Sequence, residues 1–105
     1  ETEKVLRFEH TRLDYNALTL TDIETEEVYQ IPRKEFYLLY KLLSNPEKIF
    51  TRLDLLDDIW GMEEDLDERL VDACIKRVRQ KFKENKDFEI VTIRGLGYKG
   101  TIKNG

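Results

Sequence analysis

Short alternations of apolar and polar residues fill the first third of the chain. Val5-Leu6-Arg7-Phe8, Arg12-Leu13-Asp14-Tyr15, Leu18-Thr19-Leu20 and Val28-Tyr29-Gln30-Ile31 are separated by clusters of Asn, Asp, Glu and Thr. A period of two with such breaks predicts a four-stranded antiparallel meander over residues 1–31, with one buried face. The period then changes. Pro32 suits the first position of a helix, and Phe36, Leu39, Tyr40 and Leu43 fall on one helical stripe. Asn45-Pro46 ends that helix, because the residue before proline avoids the α region. Its start is weakly held: Ile31 has no capping oxygen, and Arg33 and Lys34 oppose the helix dipole.

A second helix is better punctuated. Thr51 with Asp54 three residues on is a variant of the capping box, and Phe50 and Leu55 suit a hydrophobic staple around it. Leu55, Leu56, Ile59 and Trp60 form the inward side, and Gly61 suits the C′ position. After the acidic stretch Met62 to Leu66, Asp67 is placed to cap a third helix with Glu68 in its first turn. Val71, Ile75, Val78 and Phe82 are its buried stripe, and fraying is expected near Glu84-Asn85-Lys86. Ile90 to Ile93, the turn Arg94-Gly95-Leu96-Gly97 and Tyr98 to Ile102 then read as a hairpin. The expected organisation is one domain: a sheet over 1–31, three helices over 32–86 and a hairpin over 88–102.

Bulk properties narrow the classes. A domain of 105 residues buries roughly 60–70% of its unfolded surface and needs no metal or disulfide to fold. The single cysteine, Cys74, has no internal partner, which suggests a reducing compartment and a cytoplasmic location. No apolar run approaches the ~18 residues of a membrane span. A first residue of Glu1 rather than Met suggests a piece of a larger protein. The net charge of −4 argues against a polyanionic partner until it is divided. Residues 1–68 hold 8 basic and 18 acidic side chains, net −10, whereas residues 69–105 hold 10 basic and 4 acidic, net +6. A basic face, not the whole-chain balance, is what a polyanion meets.

No catalytic set is evident. His10 and Cys74 lie on different elements, and the paired acids sit on polar faces. An EF-hand starting at Asp65 would have Leu70 where glycine is needed and Lys76 where glutamate is needed. Gly95-Leu96-Gly97 precedes a strand, so it is a turn rather than a phosphate cradle. No cofactor or metal is expected.

The third helix carries the positive signal. Arg69, Ala73, Arg77 and Gln80 form a row opposite the buried stripe, with Asp72 expected to pair with Lys76 at i+4. Such a helix fits a major groove about 12 Å wide. A solvated helix would show the same pattern. The basic hairpin after it, with Arg94 at a glycine-rich tip and Thr92 on the same strand face, favours a helix and wing that engage a duplex. A winged helix used only for contacts with an acidic protein stays open, and an enzyme is a more distant alternative.

Residues Ile31 to Lys99 resemble the DNA-binding effector domain of OmpR/PhoB-type response regulators. The similarity is carried by Pro32-Arg33-Lys34-Glu35-Phe36, by Phe50-Thr51-Arg52 through Trp60-Gly61, by Asp67 to Asp72 with Ile75 to Lys81, and most specifically by Thr92-Ile93-Arg94-Gly95-Leu96-Gly97-Tyr98-Lys99. The resemblance implies an α+β winged helix-turn-helix with an N-terminal four-stranded antiparallel sheet, three helices and a C-terminal β-hairpin wing. It implies binding of double-stranded DNA at direct-repeat half-sites by head-to-tail pairs of a domain that is monomeric alone. It also implies a preceding receiver domain phosphorylated by a sensor kinase.

This resemblance also implies roles for single residues. Arg77, Ala73, Cys74 and Leu70 face bases in the major groove, and Arg94 with Thr92 reaches the minor groove. Arg69, Lys76, Arg79, Tyr98 and Lys99 meet phosphates. Trp60 either packs in the core or offers its N–H to a phosphate. Glu63, Glu64 and Asp65 either contact RNA polymerase or form a solvated loop. The sequence departs from the family at Ile31, where Thr or Ser is usual, at Leu70 in place of Thr, and at Cys74 in place of a polar residue. Leu70 and Cys74, at i and i+4, are expected to share one side of the helix and to meet a thymine methyl.

Overall fold

The computed structural model describes residues 4–61 and 66–103. Four short strands come first: β1 (Val5–Arg7), β2 (Thr11–Asp14), β3 (Thr19–Asp22) and β4 (Val28–Gln30). They form an antiparallel meander in the order β1-β2-β3-β4. The register places Leu6 opposite Leu13 and Leu13 opposite Leu20, so one leucine row crosses the sheet and faces the core. Asp14 and Asp22 close the turns, their carboxylates accepting N–H groups two and three residues on.

The helices are α1 (Arg33–Ser44), α2 (Arg52–Trp60) and α3 (Arg69–Lys81). Pro32 is the N-cap of α1 rather than its first helical residue, and no side chain caps that end. At α2 both bonds of the capping box form: Thr51 Oγ1 accepts from the Asp54 N–H at 3.0 Å, and Asp54 accepts from the Thr51 N–H at 3.1 Å. Gly61 ends α2 at a φ of +83°, where a side chain would be strained. The three helices pack on one another, and α1 also touches β1 of the first sheet. Tyr15 sits at that junction, 4.9 Å from the Tyr40 ring and 5.5 Å from the Tyr37 ring between centroids.

A second sheet contains β5 (Phe50–Thr51), β6 (Phe88–Ile93) and β7 (Gly97–Ile102) in the order β5-β7-β6. The pair β6–β7 is the hairpin expected over 88–102, with its first strand beginning at Phe88. The two-residue β5 is not anticipated by the alternation. It depends on Gly97, which pairs with Thr51. A Cβ at that position would collide with the Phe50 carbonyl oxygen.

The third helix stops at Lys81, short of the expected fraying point. Asn85 replaces the missing turn: its amide donates to the Phe82 and Phe88 carbonyls, and its oxygen accepts the Asp87 and Phe88 N–H groups. Asp87, 1% exposed, then joins the two ends of the chain. Its carboxylate accepts the His10 N–H and the Thr11 hydroxyl from the β1–β2 turn.

Candidate nucleic-acid interface

Two faces of α3 follow from its periodicity. Val71, Ile75 and Val78 are buried and Phe82 is half-buried, while Arg69, Ala73, Arg77 and Gln80 are exposed on the other side, with Lys76 beside them. Asp67 organises the start of the helix. Its carboxylate accepts the Arg69 N–H at 2.8 Å and the Arg69 guanidinium at 2.8 and 3.2 Å. The Arg69 contacts hold the Asp67 carboxyl down to about 2.

Cys74 does not belong to the exposed face, contrary to the expectation that it meets bases. It is fully buried, three residues after Val71 and four before Val78, so the inward arc is wider than the stripe alone suggests. Burial first, and the nearby Glu35 charge second, push its thiol up to about 11. The expected Leu70–Cys74 pair is therefore broken. Leu70 is 37% exposed on the first turn, and Cys74 turns inward.

Asp72 does not pair with Lys76. Its carboxylate accepts Arg52 Nη2 at 2.6 Å, Arg52 Nε at 3.2 Å and the Tyr98 hydroxyl at 2.6 Å. Tyr98, expected at a phosphate, is 8% exposed with its hydroxyl committed to this contact. Burial and the Asp72 acceptor raise its pKa. One carboxylate thus joins the start of α2, helix α3 and strand β7.

Arg79, also expected at a phosphate, is turned to the wing. Its guanidinium donates to the Ile90 carbonyl at 3.1 and 2.8 Å and to Thr92 Oγ1 at 2.7 Å, and it lies 5.6 Å from the Tyr98 ring centroid. Thr92 is therefore the acceptor of a bond within the protein. Lys99 pairs with Glu47 at 2.8 Å. Arg94 and Leu96 are exposed at the hairpin tip, where Gly95 takes a φ of +79°. Trp60 is half-buried and packs against the core. Glu63, Glu64 and Asp65 lie outside the described residues.

The sequence pattern did not single out Glu35. It lies on α1 with only 7% of its side chain exposed, and it accepts Arg77 Nε at 3.0 Å and Lys81 Nζ at 2.6 Å. A signal existed: Glu35, Leu38, Leu39 and Leu42 share an i, i+3, i+4, i+7 stripe, and an acid on an inward stripe requires partners. Among the described residues no group of three or more His, Cys, Asp or Glu is arranged to hold a metal ion. No described helix is long and apolar enough to cross a membrane.

A basic helix seated by α1 and α2, with a basic hairpin latched beside it, defines a winged-helix DNA-binding domain. Residues 26–100 match the family model described as transcriptional regulatory protein, C terminal, and the chain belongs to that family. Within it the chain is of the OmpR/PhoB response-regulator type, a transcription-regulating domain rather than a member of an enzyme class. The heme response regulator HssR of Staphylococcus aureus is 49% identical over 70 residues, which are 66% of this chain and 31% of HssR. The chain thus matches about a third of the length of such relatives. The response regulator DrrB of Thermotoga maritima, an OmpR/PhoB homologue, superposes with a TM-score of 0.77 at 32% identity, over 92% of this chain and 44% of DrrB. The DNA-binding domain of Klebsiella pneumoniae RstA, solved in complex with the RstA box, gives 0.76 at 27% identity, over 93% of this chain and 97% of that domain.

Proposed function

We propose that this domain reads a double-stranded half-site with α3 in the major groove and the β6–β7 tip in the minor groove. The observation that carries this is the exposed row Arg69, Ala73, Arg77 and Gln80 with Arg94 exposed at the adjacent tip. Arg77 is the base-reading arginine, Ala73 permits close approach, and Leu70 supplies an apolar contact near the helix start. Arg69 and Lys76 hold phosphates.

By family resemblance, two copies bind head to tail on direct repeats and a phosphorylated receiver precedes the domain in the cytoplasm. Glu63, Glu64 and Asp65 are then the contact for RNA polymerase.

The salt dependence of binding tests the reading. Arg79, Lys81 and Lys99 are engaged within the protein and the exposed Arg69 shares its fork with Asp67, so fewer cations remain for phosphates than the +6 balance of residues 69–105 suggests. With about four or five phosphates neutralised, log K should fall with log[salt] at a slope of roughly −3.5 to −4.5. A flat dependence, or no duplex binding at low salt, refutes it. Arg77→Ala should cost about 1–3 kcal/mol on the selected site and relax one base position.

A further inference from the structure

We infer that Glu35 is a positioning residue for Arg77, setting how well the domain separates its own site from random DNA. This rests on the reading that Arg77 faces bases. Glu35 lies in the first turn of α1, on a different element from the recognition surface. Its carboxylate is almost wholly buried, and each oxygen has a separate cation from α3: Arg77 Nε on one, Lys81 Nζ on the other. The Arg77 side chain itself is 55% exposed. Its Nε is therefore anchored inward, beside the buried Cys74 thiol, while no oxygen of the described residues accepts from Nη1 or Nη2.

Anchoring at Nε has two consequences. An arginine fork is directional, and one already fixed at its neck loses less freedom when it meets a base edge. Only the terminal Nη pair is offered, so the guanidinium approaches end-on. The second consequence is electrostatic. Glu35 offsets part of the positive charge behind the recognition face, which weakens attraction to the phosphates of selected and random duplex alike. That part cancels in the ratio of the two affinities, so discrimination rests on the anchored fork. Lys81 gives the buried carboxylate a second cation, so its charge stays compensated while the anchored Arg77 fork is shared with a base edge.

The test compares a duplex carrying the selected half-sites with a random duplex of equal length. Glu35→Gln keeps the shape and one acceptor but removes the charge. It should bind random duplex more tightly, and its ratio of specific to random affinity should fall about tenfold, part of what one bidentate contact supplies. In an Arg77→Ala background the same substitution should leave the ratio unchanged. Glu35→Asp keeps the charge but draws the carboxylate away from Arg77, and it should lower the ratio in the same direction should Glu35→Gln fold poorly. An unchanged ratio in the variants that fold, or an equal change with and without Arg77, overturns the inference. Arg77→Ala alone decides the underlying reading. Unchanged base preference there removes Arg77 as the base reader, whatever Glu35 does.

Discussion

Tyr98 donates its hydroxyl to Asp72 Oδ1 at 2.6 Å, across 26 positions of sequence, and so fastens the wing to the recognition helix. The same carboxylate holds the Arg52 fork from α2. Tyr98→Phe keeps the ring in place and removes only the donor, so it should cost about 1 kcal/mol of stability in a urea titration. Asp72→Ala should cost more, because it also removes both Arg52 hydrogen bonds and leaves Arg52 only Glu68 at 3.6 Å. Equal losses would mean that the Arg52 pair contributes nothing.

Arg79 separates wing-holding from phosphate-holding. Its donors go to Ile90 and Thr92, so Arg79→Gln should speed amide exchange across β6 and β7 and weaken DNA binding without changing the salt slope. A phosphate contact would instead flatten the slope by about one. A slope change without faster exchange returns Arg79 to the phosphate role expected from the sequence.

The period of the apolar residues is sufficient to locate four strands, three helices and the hairpin, because each period matches one backbone geometry. Ends set by side chains are less legible. Asn85 stops α3 with bonds to residues on both sides of it, and no period records such a stop. The strand β5 exists because Gly97 lets the Phe50 carbonyl approach, a steric fact visible only in three dimensions. Cys74 escapes the periodic reading because a four-residue stripe underestimates how much of α3 the other helices cover. The pairs Arg77–Glu35, Arg52–Asp72 and Tyr98–Asp72 join residues 42, 20 and 26 positions apart. Helical spacing favours nearer partners such as Lys76, and long-range packing overrides it.

Two glycines of the wing should respond differently to the same change. Gly97→Ala drives a methyl group into the Phe50 carbonyl oxygen, with Thr51 Cα 2.9 Å away, and the obstruction is backbone that cannot rotate aside. It should cost about 3 kcal/mol, the upper range for overpacking, and separate β5 from β7. Gly95→Ala meets no atom within 4 Å but keeps a φ of +79°, so it should cost only about 1–2 kcal/mol. Thermal melts of the two variants, with amide exchange at Thr51 and at position 97 as the local probe, check both. Similar costs would show that β5 yields easily.

Cys74 should make the fold sensitive to alkali. An unfolded thiol ionises near a pH of about 8.5, whereas burial raises the folded group to about 11. The folded state therefore keeps its proton at pH values where the unfolded state has lost it. By linkage this contribution is fully present below about 8.5 and is lost as pH rises towards 11, up to about 3 kcal/mol in all. Other groups also titrate there, Tyr98 among them with its own raised pKa, so the quantity to measure is the difference between the protein and Cys74→Ala. Denaturant titrations from a pH of about 7 to about 10.5, spanning the unfolded thiol value, should give a gap that shrinks or reverses as the pH rises, since the alanine variant lacks the thiol penalty. In the folded protein the thiol should also react with an aromatic disulfide reagent at least about tenfold slower than in the unfolded chain, because the thiolate is the nucleophile. A pH-independent gap together with rapid labelling would mean that Cys74 is reached by solvent, and the inward arc of α3 would have to be redrawn.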